Sequence, residues 1–303
     1  MSLIAERFAV ATRGRAMGIF GAASAIGGGL GLGLGGALAE THVWRKVFSL
    51  SGGLRLLLAP LLMSMKERPR ERPTGADADT RAVLLGLLSD RRLMLLWFSG
   101  TVMIASGIGY ATWIPSFFVR FRGMDVTQAG AFFGAAMLVG GMGGAIIGGA
   151  MADRRRRVRY GGELEVSVAT AIIGAPLAAT TLVSVPEPVF LAAAALVPMA
   201  IFAYFPPIQA VIVDVVPERQ RGLAYAINIL FLGGVGTALG PFIIGMVSDR
   251  SGSLASAMIL PVIGMSLSSV LMVIARRVLI ASSRSNSPQG PHDSHDPHDS
   301  ESK

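Results

Sequence analysis

One short loop of this sequence concentrates most of the charge that could do chemistry. Residues 148–159 read GGAMADRRRRVR, so a single acid, Asp153, stands directly before a run of arginines. A carboxylate in this setting can pair with guanidinium groups, or it can accept hydrogen bonds from the free N–H groups of a helix N-terminus, which carries partial positive charge. The alternative interpretation is a solvated aspartate among surface arginines, which would contribute little.

The remaining residues favour neither catalysis nor metal binding. Cysteine is absent, which excludes disulfides, thiolate catalysis and cysteine-ligated metals. No glycine-rich phosphate-binding loop of the nucleotide-hydrolase type occurs. His292, His295 and His298 recur in a polar tail, where a solvated low-complexity segment is favoured over a weak metal site. We therefore expect no enzyme, no cofactor and no bound metal.

The composition indicates that these residues belong to an integral membrane protein. Of the 303 residues, 52% are hydrophobic and only 15% are charged, whereas a soluble domain has about 25% charged residues. Glycine is abundant, with 38 residues, as is usual in membrane helices. The formal net charge of +8 could suggest a nucleic-acid partner, but the charge is divided among short loops between apolar segments. We therefore expect no nucleic-acid partner.

Eight apolar segments are long enough to cross a bilayer, which requires about 20 residues each. They run over 16–38, 47–65, 93–118, 127–151, 162–183, 188–212, 223–247 and 254–275. The predicted fold class is therefore an all-α integral membrane protein with eight transmembrane helices. Residues 1–65 would hold two helices, 66–92 a polar linker, 93–277 a six-helix bundle and 278–303 a disordered tail.

Basic residues are distributed unequally between the two sides of this predicted bilayer. If the N-terminus is cytoplasmic, 21 of the 27 Lys and Arg residues lie on that side and 5 on the other. This asymmetry predicts a multi-pass protein of the cell (inner) membrane with both termini in the cytoplasm. Arg55 remains, in the middle of the second segment. A charge at this depth indicates a solute pathway. The alternative is a side chain that snorkels to the membrane surface or pairs with another helix.

Three of the apolar segments form an internal repeat that is rich in glycine. Arg13-Gly14-Arg15-Ala16 and Arg221-Gly222-Leu223-Ala224 open two of them, and the three segments close at Glu40, Asp153 and Asp249. Glycines recur at four-residue spacing, at 27, 31 and 35, at 140, 144 and 148, and at 236 and 240. Such spacing places glycines on one helix face, where backbones can approach closely. Static packing is one interpretation, and a surface on which helices slide is the other, which the repetition favours.

Several polar and aromatic side chains are candidates for the wall of a solute cavity. They are Ser106, Tyr110 and Trp113 in the third segment, Phe205 and Gln209 in the sixth, Asn228 in the seventh, and Arg55. An aromatic stripe is more often packing, but the polar members favour a cavity. Such a wall would suit a small, amphipathic or lipid-like solute better than a sugar.

The loop GGAMADRRRRVR resembles a signature of the major facilitator superfamily, roughly Gly-x-x-x-Asp-Arg-x-Gly-Arg-Arg. Gly149, Asp153, Arg154, Arg156 and Arg157 match this pattern, and Arg155 stands in place of its second glycine. Leu239-Gly240-Pro241 resembles the glycine-proline helix motif of the same family. Within the family, residues 113–130 (WIPSFFVRFRGMDVTQAG) and 206–224 (PPIQAVIVDVVPERQRGLA) are similar to Spinster-like transporters.

This resemblance implies part of a fold with twelve helices, in which the eight segments correspond to helices five to twelve and the first four are missing. It implies a truncated secondary transporter that works by alternating access, with an inactive or regulatory membrane remnant as the alternative. Asp153 would face the start of the first segment near Gly14 and Arg15, and Arg157 would brace it. The implied partners are the lipid bilayer, a small-molecule or lipid-like substrate and, as a candidate coupling ion, a proton.

Overall fold

The computed structural model describes residues 12–39 and 80–285, with a few isolated positions between these ranges. Glu40, Arg55, most of the predicted second segment and the histidine-bearing tail lie outside the described residues.

Helices joined by short turns make up the described residues. They are α1 (Arg13–Ala39), α2 (Thr80–Ser89), α3 (Arg91–Arg122), α4 (Val126–Val158), α5 (Leu164–Thr180), α6 (Glu187–Val215), α7 (Glu218–Ser251) and α8 (Ile259–Ser285). A single helical turn, Leu254–Ala257, precedes α8. The described ranges contain no β-strand.

The predicted all-α membrane fold is confirmed. Five helices are long and apolar enough to cross a bilayer. They are α3, α4, α6, α7 and the span Leu254–Ser283, which joins the short turn before α8 to most of α8. The 17-residue α5 and the 27-residue α1 fall in two further predicted segments. One element was not expected. The segment predicted as a polar linker ends in α2, whose run AVLLGLL buries Leu87 in the core.

Side-chain caps and a left-handed glycine set the boundaries of the central helices. The Asp90 carboxylate accepts a hydrogen bond from the backbone N–H of Arg92 at 2.8 Å, which fixes the start of α3. Gly123, with φ of 67°, ends α3 in the left-handed conformation that favours glycine. Asp125 and Gln128 then form a capping box that starts α4.

The centre of the bundle is packed with aromatic side chains and one polar cluster. Trp97, Tyr110 and Phe118 are fully buried along α3. Tyr204 of α6 is also buried, and its hydroxyl lies 2.6 Å from Ser99 Oγ and 2.7 Å from Ser268 Oγ. These three hydroxyls satisfy one another, so they join α3, α6 and α8 without any of the three being left unpaired in an apolar core.

The glycines of α4 face two different neighbours. A Cβ atom on Gly140 or Gly148 would collide with the backbone of α6, at Ala195 O and Ala203 O, respectively. Gly149, one position further along α4, faces the backbone of α1 instead. One helix therefore carries two adjacent small-residue stripes, one for each neighbour.

The predicted stripe on α1 is partly corrected. Gly27 and Gly31 face open space, whereas Gly14, Gly18 and Gly29 meet the backbone of α4, and Gly21 and Gly28 meet its side chains. Four-residue spacing shows that the glycines share one face of α1, but it does not show whether that face is packed against another helix.

Two π-helical segments interrupt the repeated helices at matching places. They are Met137–Gly141 in α4 and Leu230–Gly236 in α7. Each lies shortly before the acid that closes its repeat, Asp153 or Asp249. A wider turn of this kind shifts the side chains that follow it, and it is frequent at functional sites.

Candidate functional site

Asp153 is bound by the N-terminus of another helix. Its Oδ1 accepts a hydrogen bond from the backbone N–H of Gly14 at 2.8 Å, and its Oδ2 accepts one from Arg15 at 3.0 Å. These N–H groups belong to the first turn of α1, where no helical carbonyl is available to them. Asp153 is only 4% exposed. Its charge is therefore held by two donors and by the positive end of the α1 dipole.

Two glycines make this contact possible. A Cβ on Gly14 would lie 2.5 Å from Asp153 Oδ1, and a Cβ on Gly149 would fall on the carbonyl oxygen of Gly14. Real Cβ atoms essentially never approach so closely, so a larger residue at either position would push α1 away from α4.

A second acid joins the same two helices to α6. Asp214, near the end of α6, accepts a hydrogen bond from Arg13 Nη1 at 2.6 Å and forms an ion pair with Arg156 of α4. The Arg13 side chain is 8% exposed, so this pair is largely shielded from water. We call Arg13, Gly14, Arg15, Asp153, Arg156 and Asp214 the three-helix junction.

The arginine that reaches the junction is not the one that the sequence predicted. Arg156 turns inward to Asp214, whereas Arg154 and Arg157 are exposed on the outer side of α4. Positions three and four residues after Asp153 lie close to the same helix face. Arg156 forms an ion pair with the carboxylate of Asp214 on α6.

Glu163 is a buried acid beside the junction, in the turn that leads from α4 to α5. It is 4% exposed, and its Oε2 has no hydrogen-bond partner in the described structure. Burial raises the pKa of Glu163 above its usual range, and the nearby guanidinium of Arg156 opposes this shift in part.

A cavity of about 220 Å³ lies between α1 and helices α3, α4, α6 and α7. Most of its wall is apolar, with Phe20 from α1, Ile104 and Ile108 from α3, and Phe202 from α6. The polar groups on the wall are few, as expected for a small-molecule site. They are Ser24, Gln209 and Tyr225.

Three predicted cavity residues lie at or beside this wall. Phe205 and Gln209 line it directly. Asn228 lies behind Gln209, and its amide nitrogen donates a hydrogen bond to Gln209 Oε1 at 3.3 Å. The Oδ1 atom of Asn228 is buried without a partner in the described structure.

Three other predicted cavity residues are corrected, because they pack elsewhere. The Ser106 hydroxyl donates to the Val102 carbonyl and lies against Gly264 of α8. The Tyr110 hydroxyl lies 3.1 Å from Thr181 Oγ1, and Trp113 Nε1 donates to the Pro241 carbonyl at 3.0 Å. Their spacing correctly places them along α3, but periodicity alone does not say which side of a buried helix borders a cavity.

The predicted glycine-proline motif joins α7 to α3. Gly240 packs against the backbone of Ala105, and the Pro241 carbonyl accepts the Trp113 hydrogen bond. Pro241 cannot donate to the preceding turn of its own helix, so this side of α7 is held by contacts with α3.

Sequence reasoning did not assign Arg13, Arg156 and Asp214 to a site. Arg13 and Asp214 are 201 residues apart, so no local spacing reveals their contact. The available signal was that Asp214 is an acid at the end of an otherwise apolar segment, where charge is costly unless it is paired.

Comparisons with known proteins agree with this architecture. The family model described as the Major Facilitator Superfamily matches residues 1–241. An MFS-type efflux pump of Mycolicibacterium smegmatis is 30% identical over 217 residues, which cover 71% of this chain and 50% of that protein. The chain therefore spans about half the length of this curated relative.

Two solved transporters share the fold. The fucose:proton symporter of E. coli superposes with a TM-score of 0.59 at 17% identity, covering 76% of this chain and 55% of its own. A bacterial homologue of the human lysosomal transporter Spinster, in an inward-facing and unoccupied conformation, superposes with a TM-score of 0.55 at 19% identity. That match covers 87% of this chain and 68% of the homologue.

The family model spans most of the sequence, and the glycine-packed helices, the acid on a helix N-terminus and the superposed transporters accord with it. The chain belongs to the Major Facilitator Superfamily.

Proposed function

We propose that this chain is a secondary active transporter that moves a small amphipathic solute by alternating access. The observation that carries the proposal is the three-helix junction, which closes one end of α1, α4 and α6. The cavity lies among the same three helices, together with α3 and α7. A junction that opens and closes would therefore control access to the cavity from that end.

The chemistry of the junction suits a contact that must break and reform. Hydrogen bonds to charged groups contribute about 1.5–3 kcal/mol each. The two bonds from α1 to Asp153 and the bond from Arg13 to Asp214 form together when α1 meets α4 and α6. Glycine and alanine between α1 and α4 leave few side chains to interlock. The closed state is thus held mainly at its polar end, which a ligand can oppose.

The cavity wall suggests the solute class. An apolar surface with the hydroxyls of Ser24 and Tyr225 and the amide of Gln209 favours an apolar body with one or two hydrogen-bonding groups. The relative named as an efflux pump supports export as the direction of transport. The neighbour named as a fucose:proton symporter supports a proton as the candidate coupling ion.

The arrangement in the membrane is part of the proposal. The excess of arginine on one side supports the cell inner membrane as the location, with the three-helix junction and both termini in the cytoplasm. Residues 1–65 would then belong to one bundle, 93–277 to the second, and 66–92 would connect them.

Transport by the purified chain in liposomes tests the proposal. We expect saturable flux for members of a panel of amphipathic fluorescent solutes, above the flux of empty vesicles. Ser24→Phe, which fills the cavity, should abolish that flux, whereas Ala23→Phe on the neighbouring exposed position should not. Flux equal to that of empty vesicles across the panel would favour the inactive or regulatory remnant.

A further inference from the structure

Three arginines share a single carboxylate at the junction end of the molecule. Glu165, in the first turn of α5, pairs with Arg276 Nη2 at 2.6 Å, with Arg155 Nη1 at 3.5 Å and with Arg159. Arg276 also donates to the Gly161 carbonyl at 3.1 Å, which fixes its guanidinium against the turn after α4. We call Arg155, Arg159, Arg276 and Glu165 the arginine cluster.

Among the residues that the structure describes, the arginine cluster carries more positive than negative charge. Arg154 and Arg157 are exposed on the same turn of α4, and Arg277 is exposed next to Arg276 on α8. Two further acids lie on this side of the molecule, but Glu163 is buried and Asp214 is paired with Arg13 and Arg156. The Arg155 and Arg159 side chains are 56% and 58% exposed, so their charges face outward. Within the described part of the chain, an anion at the outer face would therefore meet several guanidinium groups, and Glu165 is the carboxylate that competes with it.

The position of the arginine cluster indicates which class of anion it could bind. The cluster lies where two helices long enough to cross a bilayer, α4 and the one that contains α8, meet the turn after α4. Val158, the last residue of α4, and Tyr160, in the turn after it, are 77% and 56% exposed, and tyrosine is favoured at the level of lipid headgroups. Exposed apolar side chains continue along both helices away from the cluster, including Met151 and Ile274.

We propose that the arginine cluster binds the headgroup phosphate of an anionic phospholipid, whose acyl chains lie along α4 and α8. Guanidinium groups bind phosphate through paired, charge-assisted hydrogen bonds. Basic pockets between transmembrane helices at a membrane surface are suited to such headgroups. The proposal depends on the chain spanning a bilayer and does not depend on transport.

Native mass spectrometry of the detergent-solubilised full chain tests this proposal. The chain is titrated with phosphatidylglycerol and, separately, with phosphatidylcholine of identical acyl chains. We expect phosphatidylglycerol to bind at least tenfold more tightly, with the difference shrinking at high salt. Each basic residue near an anionic surface increases the affinity for that surface about fivefold. The double variant Arg155→Gln/Arg159→Gln should therefore lose roughly 25-fold in phosphatidylglycerol affinity and little in phosphatidylcholine affinity.

Two further variants separate this proposal from a general loss of structure or charge. Glu165→Gln removes the competing carboxylate and should strengthen phosphatidylglycerol binding, which a folding defect would not do. Arg120→Gln/Arg250→Gln removes the same charge from exposed positions at the opposite end of α3 and α7 and should leave the affinity unchanged.

Three outcomes would overturn the proposal. They are equal affinity for the two lipids, unchanged or weaker phosphatidylglycerol binding in Glu165→Gln, and displacement of phosphatidylglycerol by an equal concentration of soluble glycerol phosphate. The last outcome would identify a site for small soluble anions instead of a lipid site.

Discussion

At the residue scale, Asp153 and Asp214 show how buried charge is tolerated in a largely apolar chain. Asp153 accepts from two N–H groups that α1 cannot satisfy internally, and Asp214 is shared by Arg13 and Arg156. Each acid would be costly alone, because burial without partners disfavours the charged form. Each is held by groups from a different helix, so the charges also specify which helices meet.

Glu163 is buried with one carboxylate oxygen, Oε2, lacking a hydrogen-bond partner in the described structure, and its titration should be visible in stability. Because burial raises its pKa in the folded state, the folded protein prefers the protonated form, and stability falls as pH rises through that pKa. We expect Glu163→Gln to match the parent at low pH and to be more stable at high pH. Thermal unfolding in detergent across that pH range measures the difference.

A constant difference between Glu163→Gln and the parent at every pH would contradict this prediction. Glu187→Gln is the matched control, since Glu187 is an exposed acid in the first turn of α6 and its removal should give no such pH-dependent gain.

At the element scale, α4 has a double role because its two small-residue stripes contact different helices. Gly149 faces α1, and Gly143, on the same helix, faces open space. We expect Gly149→Ala to destabilise the docking of α1 by about 1–3 kcal/mol, because the new methyl group would overlap the Gly14 carbonyl. Gly143→Ala should be neutral or slightly stabilising, since alanine is the better helix former.

Limited proteolysis of α1 together with thermal unfolding distinguishes these two variants. Equal protease resistance of α1 in Gly149→Ala and Gly143→Ala would show that α1 and α4 do not approach as closely as the structure places them.

The sequence predicted the helices far better than the faces they bury. Hydropathy and the need for about 20 apolar residues located seven described helices, because a bilayer allows few alternatives. The pairing of Asp153 with the start of α1 was expected from the family resemblance. The contact of Asp214 with Arg13 was not, since only the fold brings together residues 201 positions apart.

The cavity was the least predictable feature. Tyr110 and Trp113 share a face of α3, yet that face packs against Thr181 and Pro241. The wall is formed instead by neighbouring positions such as Ile104 and Ile108, which carry no polar signal. A helix surrounded by other helices is apolar on several sides, so its pattern cannot select the side that borders the cavity.

At the scale of the whole molecule, α1 takes part in both the three-helix junction and the apolar cavity. The chain belongs to the Major Facilitator Superfamily, and α1 meets the rest of the described molecule through the junction, the glycine contacts and the cavity wall. If the junction holds one side shut, weakening it should separate α1 from α4 at that end and leave the packing of the other helices intact.

The distance between α1 and α4 tests this central claim most directly. Cysteine is absent from the sequence, so Ile19→Cys and Val158→Cys would place two spin labels at exposed sites on these helices. Double electron–electron resonance on the reconstituted chain should give mainly one short distance. Asp153→Asn replaces a charged acceptor, at a cost of about 1–2 kcal/mol. It should therefore shift a substantial fraction of molecules to a longer distance, whereas the exposed Asp249→Asn should not. Identical distance distributions for Asp153→Asn and the parent would contradict the account.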